Sequence, residues 1–369
     1  MNRTIIRTFV LLALTILLGS WGWSGHKKIN KKSTLSFPFE MNSFTVWADS
    51  LAAHASDADD RKYTDSTESP KHYIDIDDYS EFVGTGRIPS TLDSAIMIHG
   101  SYFVYNTGIL PWATMVTFDS LKNAFIRHDW HKAMLFASDL GHYVADGHMP
   151  LHICANYDGQ LTGQDGIHSR YESDMIWYYI GQISITGQAV HYVPDVNQYV
   201  FNYIYSNFQY VDTVLMADTY ALALAGNDTS TVYYDALWAK TSNCTKILFQ
   251  HAAVSLADLI YTAWYEAGSP INGSQLGIEG TEKKNTIINY AYPDASTNEI
   301  KFSMNLKAGT SYDVSLFDIS GKKIGSTRFD ASCDEKFASS INTGHLSGGI
   351  YYLNVRAEGQ TESLKIPVL

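Results

Sequence analysis

The stretch His142-Tyr-Val-Ala-Asp146-Gly-His148-Met-Pro150-Leu-His152 brings imidazoles and a carboxylate together in a short segment. His142 and Asp146 are four positions apart, so on a helix their side chains project from one face, a turn apart. Pro150 cannot continue that helix, because it lacks a backbone N–H and its ring clashes with the preceding turn. His152 therefore follows a forced helix stop. The stretch predicts ligands for two metal ions that share a neighbourhood.

Composition sets broad limits on the function. With 369 residues, the chain is long enough for two domains and a sizeable core. Its net charge of −12 argues against a protein that holds nucleic acid by a broad basic surface. Bound divalent cations would change the charge locally, so a phosphate-containing substrate is not excluded.

The N-terminus has the pattern of a secretory signal. Arg3 and Arg7 precede the apolar run Phe9–Leu18, which ends at the small pair Gly19-Ser20. The run is too short to span a bilayer. We therefore expect residues 1–20 to be removed, and the mature protein to be secreted or held at the cell surface, without stable membrane insertion.

The chain has three cysteines, Cys154, Cys244 and Cys333. An exported protein permits a disulfide, and Cys154–Cys244 is the natural pair within the first domain, which leaves Cys333 odd. A plain buried thiol is the alternative for Cys154. A thiolate ligand two residues after His152 is conceivable but less favoured.

The pattern from residue 21 to 268 is helical. Apolar residues recur with a period near 3.6, and the longest run, Val232 to Ala267, stops at Gly268-Ser-Pro270. Residues 269–288 are polar and are typical of a linker. The sequence therefore predicts a mainly α first domain.

From residue 289 the period changes to two, which predicts a small antiparallel β-sandwich over 289–369. The tail resembles the C-terminal sorting domain of type IX secretion cargo in the pieces Tyr292-Pro-Asp-Ala-Ser, Leu316-Phe-Asp-Ile-Ser-Gly-Lys and Leu346-Ser-Gly-Gly-Ile-Tyr-Tyr-Leu-Asn-Val. The resemblance implies the type IX secretion machinery as a partner and export across the outer membrane. An ordinary adhesive or carbohydrate-binding β-module is the alternative.

Two segments upstream of the opening stretch have ligand chemistry. Trp21-Gly-Trp-Ser-Gly-His26 follows the predicted cleavage site, and a free α-amine of pKa near ~8 can bind metal at modest cost. Removal of the signal would thus create a ligand close to His26. In Ala55-Ser-Asp57-Ala-Asp59-Asp60, near the end of a predicted helix, one carboxylate could complete a site.

Two further segments add imidazoles. His72 follows Pro70 on a predicted short extended piece, beside the aromatic Tyr73. His168 and Glu172 repeat the four-residue spacing on a helix opened by Gly166, and with His152 they make a His/His/carboxylate set that leaves positions open for water and substrate. His148 lies off the face of His142 and Asp146, so we expect it to be a core or surface residue and not a ligand.

The motifs Trp-Gly-x-x-Gly-His, Ala-Ser-x-x-Asp, His-Tyr-Ile-Asp, His-x-x-x-Asp-x-x-x-Pro-x-His and His-Ser-x-Tyr-Glu occur in this order. Together they resemble the zinc-dependent single-strand nucleases of the S-one/P-one type and their relative, the bacterial zinc phospholipase C. The resemblance covers about residues 21–268. It implies a mainly helical fold with three zinc ions.

Carried over by motif, the resemblance implies three ligand sets, in which Asp146 bridges the first zinc and the third. The first set is Asp59, His72, His142 and Asp146; the second is His152, His168 and Glu172; the third is the Trp21 amine and carbonyl with His26. Asp59 is chosen because Ala55-Ser56 sets the register, with Asp57 as the alternative.

The resemblance implies a monomeric endonuclease that hydrolyses single-stranded DNA or RNA to 5′-phosphate products, with 3′-nucleotidase activity as a further expectation. Asp59 would orient the water and Arg61 would clamp a phosphate oxygen, although the family arginine sits one position later. Tyr73 would stack a base, worth about 1–3 kcal/mol, and Asp75 and Asn156 would contact the substrate.

Two alternatives to the nuclease stay open. A zinc-dependent phospholipase C is favoured by Glu172, where the resemblance implies Asp in the nucleases, whereas the short Trp21–His26 spacing is the nuclease pattern. A secreted zinc-binding or adhesive protein without catalysis is the third class.

Overall fold

The computed structural model describes residues 22–271, 287–294, 297–345 and 348–368. The chain divides into two compact units, residues 1–275 and 276–369. The predicted signal at 1–20, the proposed ligand Trp21 and most of the predicted linker lie outside the described residues.

The first unit is helical, as predicted. Its α-helices are α1 (Gly22–Ser33), α2 (Ala48–Ala53), α3 (Asp57–Arg61), α4 (Ser80–Thr85), α5 (Leu92–His99), α6 (Ser101–Asn106), α7 (Leu110–Ile126), α8 (Trp130–Asp146), α9 (Ile167–Ser169), α10 (Ile176–Tyr179), α11 (Val196–Phe208), α12 (Val211–Ala225) and α13 (Thr231–Glu266). A π-helical turn, Arg170–Met175, joins α9 to α10, and 3₁₀ turns cover Thr34–Ser36, Phe39–Trp47, Ser69–His72, Ile76–Asp78, Pro150–His152 and Ile180–Gln182.

Helix α13 is the central support of this unit. Its 36 residues confirm the long run predicted from the sequence, and Ser230 caps its start by accepting a hydrogen bond from the Tyr233 amide. The helix contributes Leu248 to one buried apolar cluster and Leu259 to another. A helix that is buried on several faces can hold the shorter helices on both sides of it.

Helix α1 approaches α8 closely at Gly141. A Cβ added there would lie 2.2 Å from Asn30 Oδ1 and 2.7 Å from a methyl carbon of Leu256. Asn30 Nδ2 donates to the carbonyl oxygens of Ser138 (3.0 Å) and Leu51 (3.3 Å), which fixes α1 in place. The absence of a side chain at Gly141 thus lets α1 lie against the ligand-bearing end of α8.

Two local predictions are wrong in detail. His72 does not lie on an extended piece: it ends the 3₁₀ turn Ser69–His72, and the backbone becomes extended only at Tyr73. Pro70 explains the turn, because its fixed φ suits the first position of a helical segment. Asp59 lies inside a short helix of its own, α3, instead of near the end of a longer one.

The predicted Cys154–Cys244 disulfide is also wrong, since all three cysteines are free. Cys154 packs in a buried apolar cluster. The thiol of Cys244 turns back onto its own helix, with Sγ 3.0 Å from the carbonyl oxygen of Thr241. Burial raises the pKa of both thiols, so both are inert buried groups.

The second unit is the predicted antiparallel β-sandwich. Its strands are β1 (Ile288–Asp294), β2 (Glu299–Leu306), β3 (Ser311–Asp318), β4 (Lys323–Asp330), β5 (Glu335–Asn342), β6 (Gly349–Ala357) and β7 (Gln360–Val368). They form a three-stranded sheet in the order β1-β2-β5 and a four-stranded sheet in the order β4-β3-β6-β7. Buried side chains such as Phe302 and Leu353 form one core between the two sheets.

The close approach at Gly141 gives a stability prediction. Gly141→Ala should lower the free energy of unfolding by about 1–3 kcal/mol, because the added methyl overpacks the α1–α8 contact. Thermal denaturation followed by circular dichroism measures the change. Gly181→Ala is the matched control, since a Cβ there meets nothing within 4 Å. Equal melting temperatures for the two variants would contradict the packing argument.

Candidate metal centre

Four predicted ligands meet at the C-terminal end of α8. His72 Nδ1 lies 3.0 Å from His142 Nε2 and 3.1 Å from Asp146 Oδ2. Asp59 Oδ1 lies 3.5 Å from both imidazole nitrogens. Tetrahedral ligands at normal zinc distances lie about 3.3 Å from one another. Each of these distances between donor atoms is close to the spacing that one zinc ion requires.

Asp146 faces two groups of donors with its two oxygens. Oδ2 belongs to the group above, whereas Oδ1 lies 3.5 Å from His26 Nε2. Oδ1 is buried and has no hydrogen-bond partner among the residues that the structure describes. The His26 and His142 rings stack at a centroid distance of 4.0 Å. Asp146 is thus placed to bridge two ions, as the resemblance implies.

The third group lies around Glu172. Its Oε2 is 3.1 Å from His152 Nε2 and 3.4 Å from His168 Nε2. Glu172 lies on the π-helical turn Arg170–Met175, which Gly166 introduces with a left-handed φ of 86° before α9. Inserted π-turns occur often at functional sites. Oε1 of Glu172 is buried and, within the described part of the chain, has no hydrogen-bond partner.

Backbone carbonyl groups orient the imidazoles. The Nδ1 atom of His142 lies 2.7 Å from the Ala55 oxygen, that of His152 lies 2.7 Å from the His72 oxygen, and that of His168 lies 3.0 Å from the Tyr157 oxygen. A donor at Nδ1 leaves the lone pair on Nε2, which is the atom that faces the carboxylates. The three rings are therefore held in the tautomer that binds metal.

Burial and neighbours act in opposite directions on the carboxylates. Burial favours a raised pKa for Asp146, but the nearby His142 and His152 hold the pKa well below its usual range. Burial likewise favours a raised pKa for Glu172, but the nearby His168 and His152 lower that pKa below its usual value. The pKa of His142 rises to about 9 although it is buried, because Asp146 and Asp59 are close. Ionised carboxylates at full burial need positive charge nearby.

The donor set fits zinc. Imidazole nitrogen and carboxylate oxygen are ligands that zinc accepts, and the donor atoms of each group lie within 4.8 Å of one another. The buried oxygens Asp146 Oδ1 and Glu172 Oε1 have no hydrogen-bond partner among the described residues. Binding would release the proton that His142 holds in its place.

The structure separates the two candidate aspartates. Asp59 faces His72 and His142, whereas the Asp57 carboxylate lies 2.7 Å from His54 Nδ1. The geometry therefore favours Asp59 as the ligand.

The guanidinium of Arg61 is engaged elsewhere. It lies 3.0 Å from an Asp139 oxygen and 3.4 Å from Glu68 Oε1, and it donates to the Tyr143 hydroxyl. Arg61 thus helps to hold Glu68, and its role as a phosphate clamp stays a prediction.

Two residues that the sequence analysis missed lie beside the cluster. Glu68 is buried, with Oε1 3.5 Å from His72 Nε2, so it can orient the one imidazole that presents Nδ1 to the carboxylates. Lys62 Nζ lies 2.7 Å from Asp59 Oδ1. The sequence spacing could have indicated both residues, because Glu68 is four positions before His72 and Lys62 is three positions after Asp59.

The predicted substrate contacts fall into two kinds. Tyr73 is half-buried and donates to the Asn106 carbonyl at 3.2 Å, and buried Asp75 has an oxygen without a hydrogen-bond partner among the described residues. Asn156 instead closes its own loop, accepting from the Leu161 amide and donating to Thr162. Its amide therefore stabilises the loop, and its contact with substrate stays a prediction.

His148 is in the core, which is one of the two expected positions. Its Nδ1 donates to the Val144 carbonyl oxygen at 2.7 Å, and its ring stacks on Tyr203 at 4.5 Å.

The two aspartates provide a test of the first ligand group. Asp59→Asn should lower the zinc retained after dialysis, because the neutral amide is a much poorer ligand, while Asp57→Asn should leave it unchanged. Elemental analysis of the folded variants measures zinc per chain. If Asp57→Asn lost zinc and Asp59→Asn did not, the assignment of Asp59 would be reversed.

Comparison with known proteins identifies the tail. Residues 290–368 match the family of the secretion system C-terminal sorting domain. This domain directs the chain to secretion or to the cell surface, and it implies the type IX secretion machinery as its partner, in agreement with the sequence prediction. Among the described residues, no helix is long and apolar enough to cross a membrane.

The whole chain is less closely related to known proteins. No curated protein matches it in sequence. Among solved structures, the alpha-toxin of Clostridium absonum has 10% identity and a TM-score of 0.41, with 95% of this chain and 98% of the toxin covered. The alpha-toxin of an avian strain of Clostridium perfringens has 11% identity and a TM-score of 0.41, with 93% and 96% covered.

Proposed function

We propose that the first unit is a zinc-dependent phosphodiester hydrolase. The observation that carries the proposal is the pair of donor groups on either side of Asp146, next to the separate group around Glu172. Metal ions a few ångströms apart recur in enzymes that cleave phosphate esters. The ordered motifs that resemble the zinc nucleases and phospholipases C support the same reaction class.

The ligands would be divided among the three groups already described. Asp59, His72, His142 and Asp146 would hold one ion, and His152, His168 and Glu172 would hold another. His26 with Asp146 would hold the third, to which Trp21 would add its amine and carbonyl. Bound zinc supplies Lewis acidity, which activates water at neutral pH and neutralises charge on the phosphoryl oxygens.

The remaining groups position the reactants. Asp59 accepts a hydrogen bond from the attacking water. Its side chain is 16% exposed, whereas that of Asp146 is fully buried. Lys62 Nζ pairs with Asp59 Oδ1 and helps to hold that carboxylate in place. Glu68, whose Oε1 lies 3.5 Å from Nε2 of His72, orients that imidazole ring.

Single-stranded nucleic acid is the first substrate candidate. Tyr73 offers an aromatic face, and burial with the nearby Asp78 and Asp77 raises the pKa of Asp75 to about 8. At neutral pH its carboxyl is therefore mostly protonated, and it can both donate to and accept from a base edge. Stacking tolerates every base, which suits an enzyme with little sequence preference.

Phospholipid is the second candidate, which makes the enzyme a phospholipase C. Glu172 is the observation that favours it, because the resemblance implies Glu at this position in the phospholipases and Asp in the nucleases. The comparisons with solved structures give the nuclease no preference over this alternative.

The reaction class is tested by assaying the zinc-loaded chain against single-stranded DNA and against phosphatidylcholine vesicles. His152→Ala should reduce hydrolysis by more than about 100-fold, because loss of even an outer partner of a metal ligand typically costs about 10–100-fold. His251→Ala, at an exposed histidine, should keep full activity. Chelation should abolish the reaction and added zinc restore it. Hydrolysis of neither substrate would overturn the proposal.

The raised pKa of Asp75 predicts how nucleic-acid binding depends on pH. The neutral acid predominates below the folded pKa of about 8 and is lost as the pH rises through it. The KM for single-stranded DNA should therefore rise above that pH, while Asp75→Asn, which donates at every pH, should show a flat KM profile. Parallel profiles for both proteins would remove Asp75 from substrate binding.

A further inference from the structure

The β-sandwich has one sheet face that the core does not use. In the sheet β4-β3-β6-β7, Val314, Leu316, Leu353 and Val355 point into the core between the sheets. The residues that alternate with them point to the other side. This outer face consists of three rows of residues that are paired across the strands.

The register places charged residues in the first row and uncharged polar residues in the second. Asp313 pairs with Arg328 on one side and with Arg356 on the other. In the next row Ser315 pairs with Ser326 and with Asn354. Cross-strand neighbours on one face lie close enough to bind one ligand together.

The third row is aromatic at its centre and basic at its edges. Phe317 pairs with Lys323 and with Tyr352, and Tyr352 pairs in turn with Lys365. Tyr352 is 37% exposed, so one side of its ring is open to a ligand.

The outer face is positive on an acidic protein. Its three rows hold four cations, Lys323, Arg328, Arg356 and Lys365, against the single carboxylate of Asp313, whereas the chain as a whole has a net charge of −12. Asp313 lies 3.9 Å from Arg328 and is well exposed. Arg356, Lys323 and Lys365 make no ion pair with other described residues. Asp330, in the next row, accepts a hydrogen bond from the Ser311 hydroxyl.

A pocket of 580 Å³ opens over the same rows. Its lining includes Arg328, Arg356, Lys323, Phe317 and Asn354. Oδ1 of Asn354 is buried there and has no hydrogen-bond partner in the described part of the chain. An unsatisfied buried acceptor costs free energy unless a ligand donates to it.

We propose that this outer face binds an acidic polysaccharide. Hydroxyl groups of a sugar donate to Asn354 Oδ1, the face of a sugar ring packs on Tyr352, and carboxylate or sulfate groups along the polymer pair with Arg328 and Arg356. An acidic polypeptide would meet the cations equally well. It lacks the dense hydroxyl groups that suit the serine and asparagine row, so the polysaccharide is the better match.

The test uses the full chain and three polymers: polygalacturonate, neutral dextran and poly-L-glutamate. Calorimetry should show binding of polygalacturonate that weakens with salt, no binding of dextran, and weaker binding of poly-L-glutamate. Arg356→Glu should weaken polygalacturonate binding by at least about tenfold, since it removes a charge-assisted contact. Lys307→Glu is the matched charge reversal, at an exposed lysine of the same unit outside these rows.

A second variant separates sugar recognition from charge alone. Tyr352→Ala keeps all four cations, so it should weaken polygalacturonate binding and leave poly-L-glutamate binding unchanged. Equal affinity for the two acidic polymers would assign the face to an acidic polypeptide and overturn the proposal. Equal loss in Arg356→Glu and Lys307→Glu, or no binding of polygalacturonate, would overturn it as well. Thermal denaturation of each variant establishes that it is folded.

Discussion

A carboxylate buried completely inside a protein is costly unless positive charge compensates it, and Asp146 imposes this constraint on the helical unit. His142 and His72 surround one of its oxygens and His26 approaches the other. In the protein without metal, the pKa of His142 is raised, so its imidazole carries a proton that compensates part of this negative charge. The divalent ions proposed on either side of Asp146 would supply this positive charge more completely.

The fold brings distant segments to that carboxylate by simple local means. The missing side chain of Gly141 admits α1, and with it His26, to the side of α8. Pro150 stops the helix, so His152 turns toward the π-helical turn that carries Glu172. The metal groups therefore follow from where helices end and how closely they pack.

Much of this could be predicted from the sequence, because the informative pairs are local. The four-residue spacings of His142 with Asp146 and of His168 with Glu172 place each pair on one helical face, and the motif order joined the segments. The features that the sequence does not show are contacts between distant residues. Arg61 meets Asp139, 78 positions away, and no local pattern shows this. The predicted Cys154–Cys244 disulfide is wrong for the same reason, because the sequence does not show where the two thiol groups point. Trp21 lies outside the described residues, so its role as a ligand is a prediction still.

The central claim is that Asp146 bridges two metal ions while Glu172 belongs to a separate one. Anomalous diffraction at the zinc edge, from crystals of the mature chain grown with zinc, tests it most directly. The account predicts one peak on each side of the Asp146 carboxylate and a further peak between His152, His168 and Glu172. A single peak at Asp146, or strong peaks away from these residues, would contradict it.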